Sequence, residues 1–521
     1  MNKNLLIAAL ILIAGTVAGI WFRPLMTIDE TRYIGVAWEM FDKHSFLVPL
    51  INGEPYHHKP PFLFWLMHLN WWLFGVNATS VRFISLLFGL GSLFLTYRIY
   101  RLLWRDDTEG ASYAPLLLAG SFVFMFYTSL LMFDVVLTFW VLVGILGILE
   151  AYRKPSLKSF SLIALSVGLG ILTKGPVILV HLLHVILFAK LWMEKIPQRF
   201  FLGFSLATLA GVVIALLWAI PAGIAGGEAY RNAIFWGQTA NRVVKSFAHQ
   251  RPFWWYLPIL PLLAFPWFLF KNLWQGMRRH KLDYGIRFLL VWLVSVIVIF
   301  SAISGKQVHY LLPEIPAFAL LGARWLRHRF TTQKETYQSA YIGHFYIVFA
   351  IVLAIAYFFV HQKLHFTITV VQIATVSLLL LATGLVLLKY RFHSRDGMLQ
   401  AIAATSAILM FALHFLLADY FHRQDMRPFA RKIAALQQSG IPVVHLKKYH
   451  NQFAFPGRLH DKIVVLKEKE KQREYFQKHP EAVVILYKKP HERFNETVVL
   501  GRGYFRSKHL LLVRVRDLGK L

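Results

Sequence analysis

The sequence predicts a polytopic α-helical membrane protein with a small C-terminal α/β domain. Three observations predict it. The 521 residues are 57% hydrophobic and 16% charged, with mean hydropathy +0.51, which excludes a disordered chain and a soluble globular one. Apolar runs long enough to cross a bilayer recur between residues 5 and 417, separated by short basic loops. Beyond residue 420 the pattern changes to short apolar runs alternating with charged helical stretches. The net charge of +30 belongs to loops and tail and does not indicate nucleic acid, because the chain is too apolar for a soluble nucleic-acid binder. With no Cys, a disulfide scaffold and a thiolate metal site are both excluded.

The first run, residues 5–22, is followed by Arg23, Pro24, Asp29 and Glu30 with no small-residue cleavage site, so it is expected to stay as the first span. Further runs lie at 81–100, 113–130, 134–151, 159–173, 175–192, 200–220, 253–271, 285–303, 308–326, 340–360, 367–388 and 397–417, giving about thirteen spans. Basic clusters such as Arg98, Arg101 and Arg105, or Arg153, Lys154 and Lys158, follow every second span. The positive-inside rule then places the amino terminus in the cytoplasm and the carboxyl end outside. Two longer external loops result, 23–80 and 221–252, within a membrane domain of residues 1–419. In the first loop, 61–74 is apolar and aromatic but short, as expected of an interfacial helix at headgroup depth.

Residues 420–521 are expected to form a soluble external domain. Strands are predicted at 443–446, 463–466, 483–487, 498–500 and 510–515, and helices at 428–438 and 467–478. The segment carries 22 Lys and Arg against 9 Asp and Glu, about +13, which suits an acidic acceptor or an anionic membrane surface.

Charge beside a bilayer is costly, so acids next to spans are the first candidates for chemistry. Asp29 and Glu30 open the string Asp29-Glu30-Thr31-Arg32-Tyr33, and His57-His58-Lys59-Pro60-Pro61 follows in the same loop. Carboxylates that take a proton and cations that stabilise a departing phosphate are what group transfer from a phosphate leaving group requires. A solvated loop with interfacial anchors is the plain alternative. His181 and His184 share a helix face, but no third ligand accompanies them, so a packed or hydrogen-bonded pair is favoured over a metal site.

The string at 29–33, Lys59-Pro60-Pro61, Thr173-Lys174-Gly175-Pro176 and Gly305-Lys306-Gln307-Val308-His309-Tyr310-Leu311-Leu312-Pro313-Glu314-Ile315-Pro316 occur in an order that resembles the GT-C type membrane glycosyltransferases. Phe235-Trp236, Asn241-Arg242 and Arg251-Pro252-Phe253-Trp254-Trp255-Tyr256 are similar as well, so the resemblance covers roughly residues 5–325. It points to the branch of the lipid A aminoarabinose transferases and protein O-mannosyltransferase-like enzymes. Gln238, Thr239 and His58 stand where aminoarabinose transferases carry other residues, which places the chain in the broader family.

The resemblance implies an inverting transferase that moves a sugar from a polyprenyl-phosphate donor to a periplasmic acceptor, either lipid A, another glycolipid or protein. It implies an inner-membrane enzyme with its site and tail domain on the periplasmic side. Asp29 and Glu30 would be catalytic, and Lys59, Arg242 and Arg32 would hold the donor phosphate. Tyr33, His58, Asp134, Lys174, Lys306, His309 and Tyr310 would line the donor or acceptor pocket. Lys174 alternatively snorkels at a span end, Tyr310 anchors at the interface, and Asp134 pairs with a neighbouring helix. No cofactor is required by these residues, and a divalent metal is left open. A transporter or flippase of lipid-linked sugars is the competing reading; it predicts internal repeats and mid-span charge, whereas charge here gathers at one face.

Overall fold

Crossing a ~30 Å hydrocarbon core takes about 20 helical residues. In the computed structural model, which describes all residues except Met1, Ile196, 238–249, 333–338, His365, Arg391 and His393, nine helices among the described residues meet that requirement. In chain order the first ten helices are α1 (Lys3–Phe22), α2 (Asp29–Asp42), α3 (Phe62–Phe74), α4 (Ala78–Leu103), α5 (Thr108–Ala119), α6 (Phe122–Thr128), α7 (Phe133–Arg153), α8 (Leu157–Lys174), α9 (Val177–Leu187) and α10 (Gln198–Ala225). The long apolar ones are α1, α4, α7, α8 and α10, followed by Tyr284–Ala302, Ala340–Lys363, Val370–Lys389 and Arg395–Leu416. The protein is a multi-pass membrane protein.

Four of the thirteen expected runs are not straight spans, and their sequences say why. The 113–130 run is broken into α5 and α6 with a 62° bend. The break falls at Gly120, where a Cβ would come within 2.7 Å of the Ala403 backbone. The 175–192 run yields only the 11 residues of α9. The 253–271 run follows Pro252 and carries Pro258, Pro261 and Pro266, and folds as short turns over Phe253–Ile259, Leu260–Leu263 and Trp267–Leu269. Each proline removes a backbone donor and crowds the preceding turn. The 308–326 run, with Pro313 and Pro316, divides into a 3₁₀ turn Val308–Glu314 and the helix Ile315–Thr332.

The helix expected at 61–74 is α3. Leu63, Phe64, Met67 and Trp71 are buried against the rest of the protein, while Leu69, Trp72, Leu73 and Phe74 are exposed. His68 Nε2 lies 2.9 Å from the Ala37 carbonyl oxygen, which ties α3 to α2. Between these helices, β1 (Leu50–Ile51) and β2 (Glu54–Pro55) form a hairpin around Asn52 and Gly53, both with positive φ, as an Asn-Gly turn requires. Glu39 of α2 accepts the turn's two N–H groups at 2.7 and 2.8 Å.

The tail forms one five-stranded sheet from β3 (Val443–His445), β4 (Val464–Val465), β5 (Val483–Lys488), β6 (Val499–Phe505) and β7 (Lys508–Arg514), in the order β4-β3-β5-β7-β6. β4, β3 and β5 are parallel; β7 and β6 are antiparallel additions. Period-two alternation sends Val443, Ile485 and Leu512 to one face, with Phe429 and Ile433 of the helix Arg427–Gln438. Val444 and Val484 go to the other face, beside Tyr475 and Phe476. Each of the five predicted strands and both predicted helices is present. The segment between β3 and β4 docks onto the membrane part. Trp38 Nε1 donates to the Leu459 carbonyl at 2.9 Å, Asn52 Nδ2 to that of Ile463 at 2.9 Å, and Phe455 stacks on Trp71 with centroids 5.5 Å apart.

At the opposite end of the helices a charged clasp joins three segments. Asp107 caps α5 by accepting from Gly110 N at 2.9 Å, and pairs with Arg324 and Arg327 at 3.1 Å each. Glu109 takes Arg327 at 3.0 Å and Arg395 at 3.3 Å. Losing a cap costs about 1 kcal/mol, and part-exposed ion pairs each add less than that. Asp107→Ala is therefore expected to lower stability by about 2 kcal/mol. Thermal unfolding in detergent measures it; an unchanged midpoint would refute the clasp's contribution.

Candidate functional site

Asp29 and Glu30 open α2, where acids suit the positive end of the helix dipole. Neighbours on a helix point about 100° apart, and the structure separates these two acids accordingly. The Asp29 side chain is 50% exposed, so it remains available to solvent and ligand. Arg32 and Tyr33, three and four residues on, share its face: Arg32 Nη2 donates to Asp29 Oδ1 at 2.5 Å and Tyr33 Oη at 3.4 Å. Burial pushes the Tyr33 phenol well above its usual range and Asp29 adds to this, which keeps it a donor.

Glu30 faces the other way and is 1% exposed. Its carboxylate lies 3.5 Å from Arg23 and 3.2 Å from Arg82, and accepts from Met26 N at 2.8 Å and Leu131 N at 2.9 Å. Burial, the largest single influence, pushes this carboxyl up. Arg82, Arg23 and the two N–H groups together outweigh it and hold the group below its ordinary value. Read from sequence as a second catalytic acid, Glu30 is instead enclosed in a network that ties α2 to α1, α4 and the turn before α7. No face of it is open to a substrate.

Asp134 stands in the first turn of α7 and is buried. It pairs with Lys174 in the last turn of α8. The expectation that Lys174 snorkels gives way to this ion pair. Gly175, with φ +81°, ends α8 immediately after Lys174, so the Thr-Lys-Gly-Pro string is a helix terminus that delivers a lysine inward. A Cβ at Gly175 would meet nothing within 4 Å, leaving only the conformational penalty. With ψ at −166° this backbone conformation is essentially glycine's alone, so Gly175→Ala and Gly175→Asn are each expected to cost about 1–3 kcal/mol. Equal unfolding midpoints for the two variants and the parent would contradict this.

The remaining groups converge on the same place. Lys174 Nζ lies 4.9 Å from the Tyr310 ring centre, and Lys59 Nζ 5.5 Å from that of Phe133, the residue before Asp134. Tyr33 meets the same Phe133 ring edge-on at 4.8 Å. His309 packs against Tyr127 with centroids 5.6 Å apart, and lies within electrostatic reach of Asp134, Lys174, Lys59 and Asp29. One cluster therefore unites Asp29, Arg32, Tyr33, Lys59, Asp134, Lys174, His309 and Tyr310. These residues come from five separate stretches of chain, at one end of the long helices.

Three expected residues stand elsewhere or undescribed. His58 packs on Tyr56 and His57, with centroids 5.5 and 4.4 Å apart. Lys306 is buried and donates to the carbonyls of Arg251 at 3.1 Å and Ile303 at 2.5 Å. It fastens the chain at 251 to the end of the helix Tyr284–Ala302 and holds the segment leading to His309. Arg242, with Gln238, Thr239 and Asn241, lies outside the described residues.

Sequence reading overlooked Tyr127, which lies in an aromatic run with no distinguishing signal. It also missed Arg23 and Arg82 as partners of Glu30. Arg82, a buried charge at the start of an apolar helix, was the one available signal. His450 of the tail domain was missed too. Burial, then the charges of Arg32 and Lys448, push its imidazole down to about 4, so the tail comes within electrostatic range of the cluster.

Among the described residues no group of three His, Asp or Glu side chains is placed to hold a metal ion. Both carboxylates of the cluster already have a cation, Arg32 for Asp29 and Lys174 for Asp134. His181 and His184 are hydrogen-bonded separately: His181 Nδ1 lies 2.6 Å from Glu314 Oε1, whose other oxygen accepts from Trp292 Nε1 at 2.6 Å, and His184 Nδ1 lies 2.7 Å from the Val180 carbonyl.

Comparison with known proteins agrees with the resemblance read from the motifs. Residues 58–223 match the family described as dolichyl-phosphate-mannose-protein mannosyltransferase. An undecaprenyl phosphate-alpha-4-amino-4-deoxy-L-arabinose arabinosyl transferase of Pectobacterium atrosepticum is 30% identical over 311 residues, 58% of this chain and 55% of the relative. The protein of the same description from Serratia proteamaculans is 28% identical over 311 residues, with the same coverage. The chain thus spans about half the length of the curated relatives it matches. The crystal structure of ArnT from Cupriavidus metallidurans bound to undecaprenyl phosphate superposes with TM-score 0.74 at 18% identity, covering 97% of both chains. The apo oligosaccharyltransferase of Archaeoglobus fulgidus superposes with TM-score 0.51 at 12% identity, over 92% of this chain and 69% of the other. The chain shares the fold of this ArnT structure.

Proposed function

We propose that the protein is an inverting glycosyltransferase that moves a sugar from a polyprenyl-phosphate donor to a glycolipid or protein acceptor. The observation that carries this reading is a half-exposed carboxylate, Asp29, set among Arg32, Lys59 and Lys174 at the ends of long apolar helices. In this reading Asp29 takes the proton from the acceptor hydroxyl or amine as it attacks the anomeric carbon. The bond between that carbon and the phosphate oxygen breaks, and the electron pair leaves with the polyprenyl phosphate. Lys59, Arg32 and Arg242 stabilise the departing charge. Lys174 is largely neutralised by Asp134, so it positions that acid more than it binds phosphate. Tyr33, Tyr310 and His309 border the sugar, and Glu30 and Lys306 hold the frame. No step requires a metal.

The similarity to aminoarabinose transferases supports a periplasmic site in a bacterial inner membrane, with lipid A as one acceptor. The bent and short apolar segments would complete about thirteen passages, placing residues 420–521 outside as well. The test is to incubate the purified full chain, reconstituted in liposomes, with polyprenyl phosphate carrying a labelled sugar. Transfer releases free polyprenyl phosphate in proportion to labelled acceptor. Movement of intact labelled lipid across the bilayer without cleavage would replace the enzyme by a flippase.

A further inference from the structure

On the far side of α2 from Asp29 a cavity opens between the membrane part and the tail domain, with a volume of about 880 Å³. It is bounded by the C-terminal end of α1, the N-terminal end of α4 and the start of the tail helix Arg427–Gln438. Five arginines line it, Arg23, Arg82, Arg427, Arg431 and Arg458, against two acids, Asp419 and Asp425.

The charges do not cancel. Arg427 is paired with Asp425 at 2.7 Å, and Asp419 is taken by Arg423 at 2.9 Å. Arg23 and Arg82 share the single carboxylate of Glu30. Arg23 is 2% exposed, yet its Nη1 has no hydrogen-bond partner. Among the described residues Arg458 donates only to the carbonyls of Phe455 and Val76, both at 2.9 Å, and it lies over the Phe455 ring at 3.7 Å. Arg431 is exposed and has no ionic or hydrogen-bonding partner among the described residues. A concave site with two arginines lacking an acid, and two more sharing one, is built for an anion.

Its position says what kind of anion. Ile20, Trp21 and Phe22, the last turn of the first apolar helix, line the same cavity, and Trp21 is 82% exposed. Trp at the end of such a helix sits at headgroup depth. An occupant therefore has a phosphate among the arginines and an apolar part along α1. We propose that this cavity binds the phosphorylated headgroup of a lipid, at a site distinct from the catalytic cluster and separated from it by Glu30 and α2. The proposal stands independently of the transfer reaction, because it concerns binding alone.

Two phosphorylated lipids share this chemistry, a bilayer phospholipid and a phosphorylated glycolipid, and the experiment separates them. Full-length protein in phosphatidylcholine nanodiscs is titrated with phosphatidylglycerol in one arm and lipid A in the other, and retained lipid is counted by native mass spectrometry. Arg431→Glu and Arg458→Gln are compared with the parent. Each arginine beside an anionic headgroup is expected to contribute about fivefold in affinity, so retention of at least one of the two lipids falls by at least that factor in each variant. Loss confined to phosphatidylglycerol identifies a bilayer lipid, and loss confined to lipid A identifies the glycolipid. Arg431 is exposed and unpaired, so its variant is expected to fold normally even if Arg458→Gln does not. Retention of both anionic lipids by Arg431→Glu at parental levels, or equal retention of zwitterionic, net-neutral phosphatidylcholine in the site, would overturn the proposal of an anionic headgroup.

Discussion

Asp29→Asn is expected to lower kcat for sugar transfer about 10³-fold, within the 10²–10⁴-fold range of a positioned general base. The change removes one charge from a half-exposed side chain and keeps its size and its acceptor oxygen for Arg32 and Tyr33. Folding and donor affinity should therefore stay close to the parent's. The decisive pattern is a collapse of kcat with an unchanged Kd for the polyprenyl-phosphate sugar and an unchanged unfolding midpoint. Asp134→Asn is the companion measurement. Asp134 is buried and paired with Lys174, so its loss frees a lysine in the cluster and should disturb donor binding as well as rate. Near-normal turnover in Asp29→Asn, with collapse in Asp134→Asn alone, would transfer the base's role to Asp134.

What could be read in the sequence was whatever lies in local pattern. Long apolar helices such as α7 and Tyr284–Ala302 are fixed by length and hydropathy, and the tail strands by alternation of Val, Ile and Leu. Pro258, Pro261 and Pro266 were equally visible, but an apolar count over 253–271 ignores what prolines do to a helix. The order of short motifs drew together Asp29, Lys59, Lys174, His309 and Tyr310, the resemblance added Asp134, and the fold brings them to one place. The division of labour between Asp29 and Glu30 was hidden. It depends on where α2 begins, and on Arg82, which is 52 residues away from Glu30 in the chain. Docking of the tail onto α2 through Trp38 and Leu459, 421 residues apart, leaves no mark on either local pattern.

Glu30→Gln is expected to be the most destabilising single change near the site. Both carboxylate oxygens are saturated by donors: Leu131 N and Arg82 Nε on one, Met26 N and Arg82 Nη2 on the other. A glutamine turns one of those acceptors into a donor facing donors, and leaves two buried arginines without their shared counter-charge. Breaking a buried ion pair by removing one partner costs about 3–5 kcal/mol. The pH dependence follows from the same network. The folded-state carboxyl is held below its unfolded value of 4.5, so the stability it contributes is fully present above pH 4.5 and is lost as pH falls toward the folded value. Acid unfolding of the parent should thus contain a component that Glu30→Gln lacks. Arg82→Met beside Glu30→Gln should cost less than the sum of the two single changes, because the same contact is lost in each. The network also joins the start of α2 to the turn before α7, and therefore sets Asp29 against Asp134. Folded Glu30→Gln protein should show lowered kcat though Glu30 touches no substrate. Full activity and parental acid stability in that variant would show that Glu30 is a bystander.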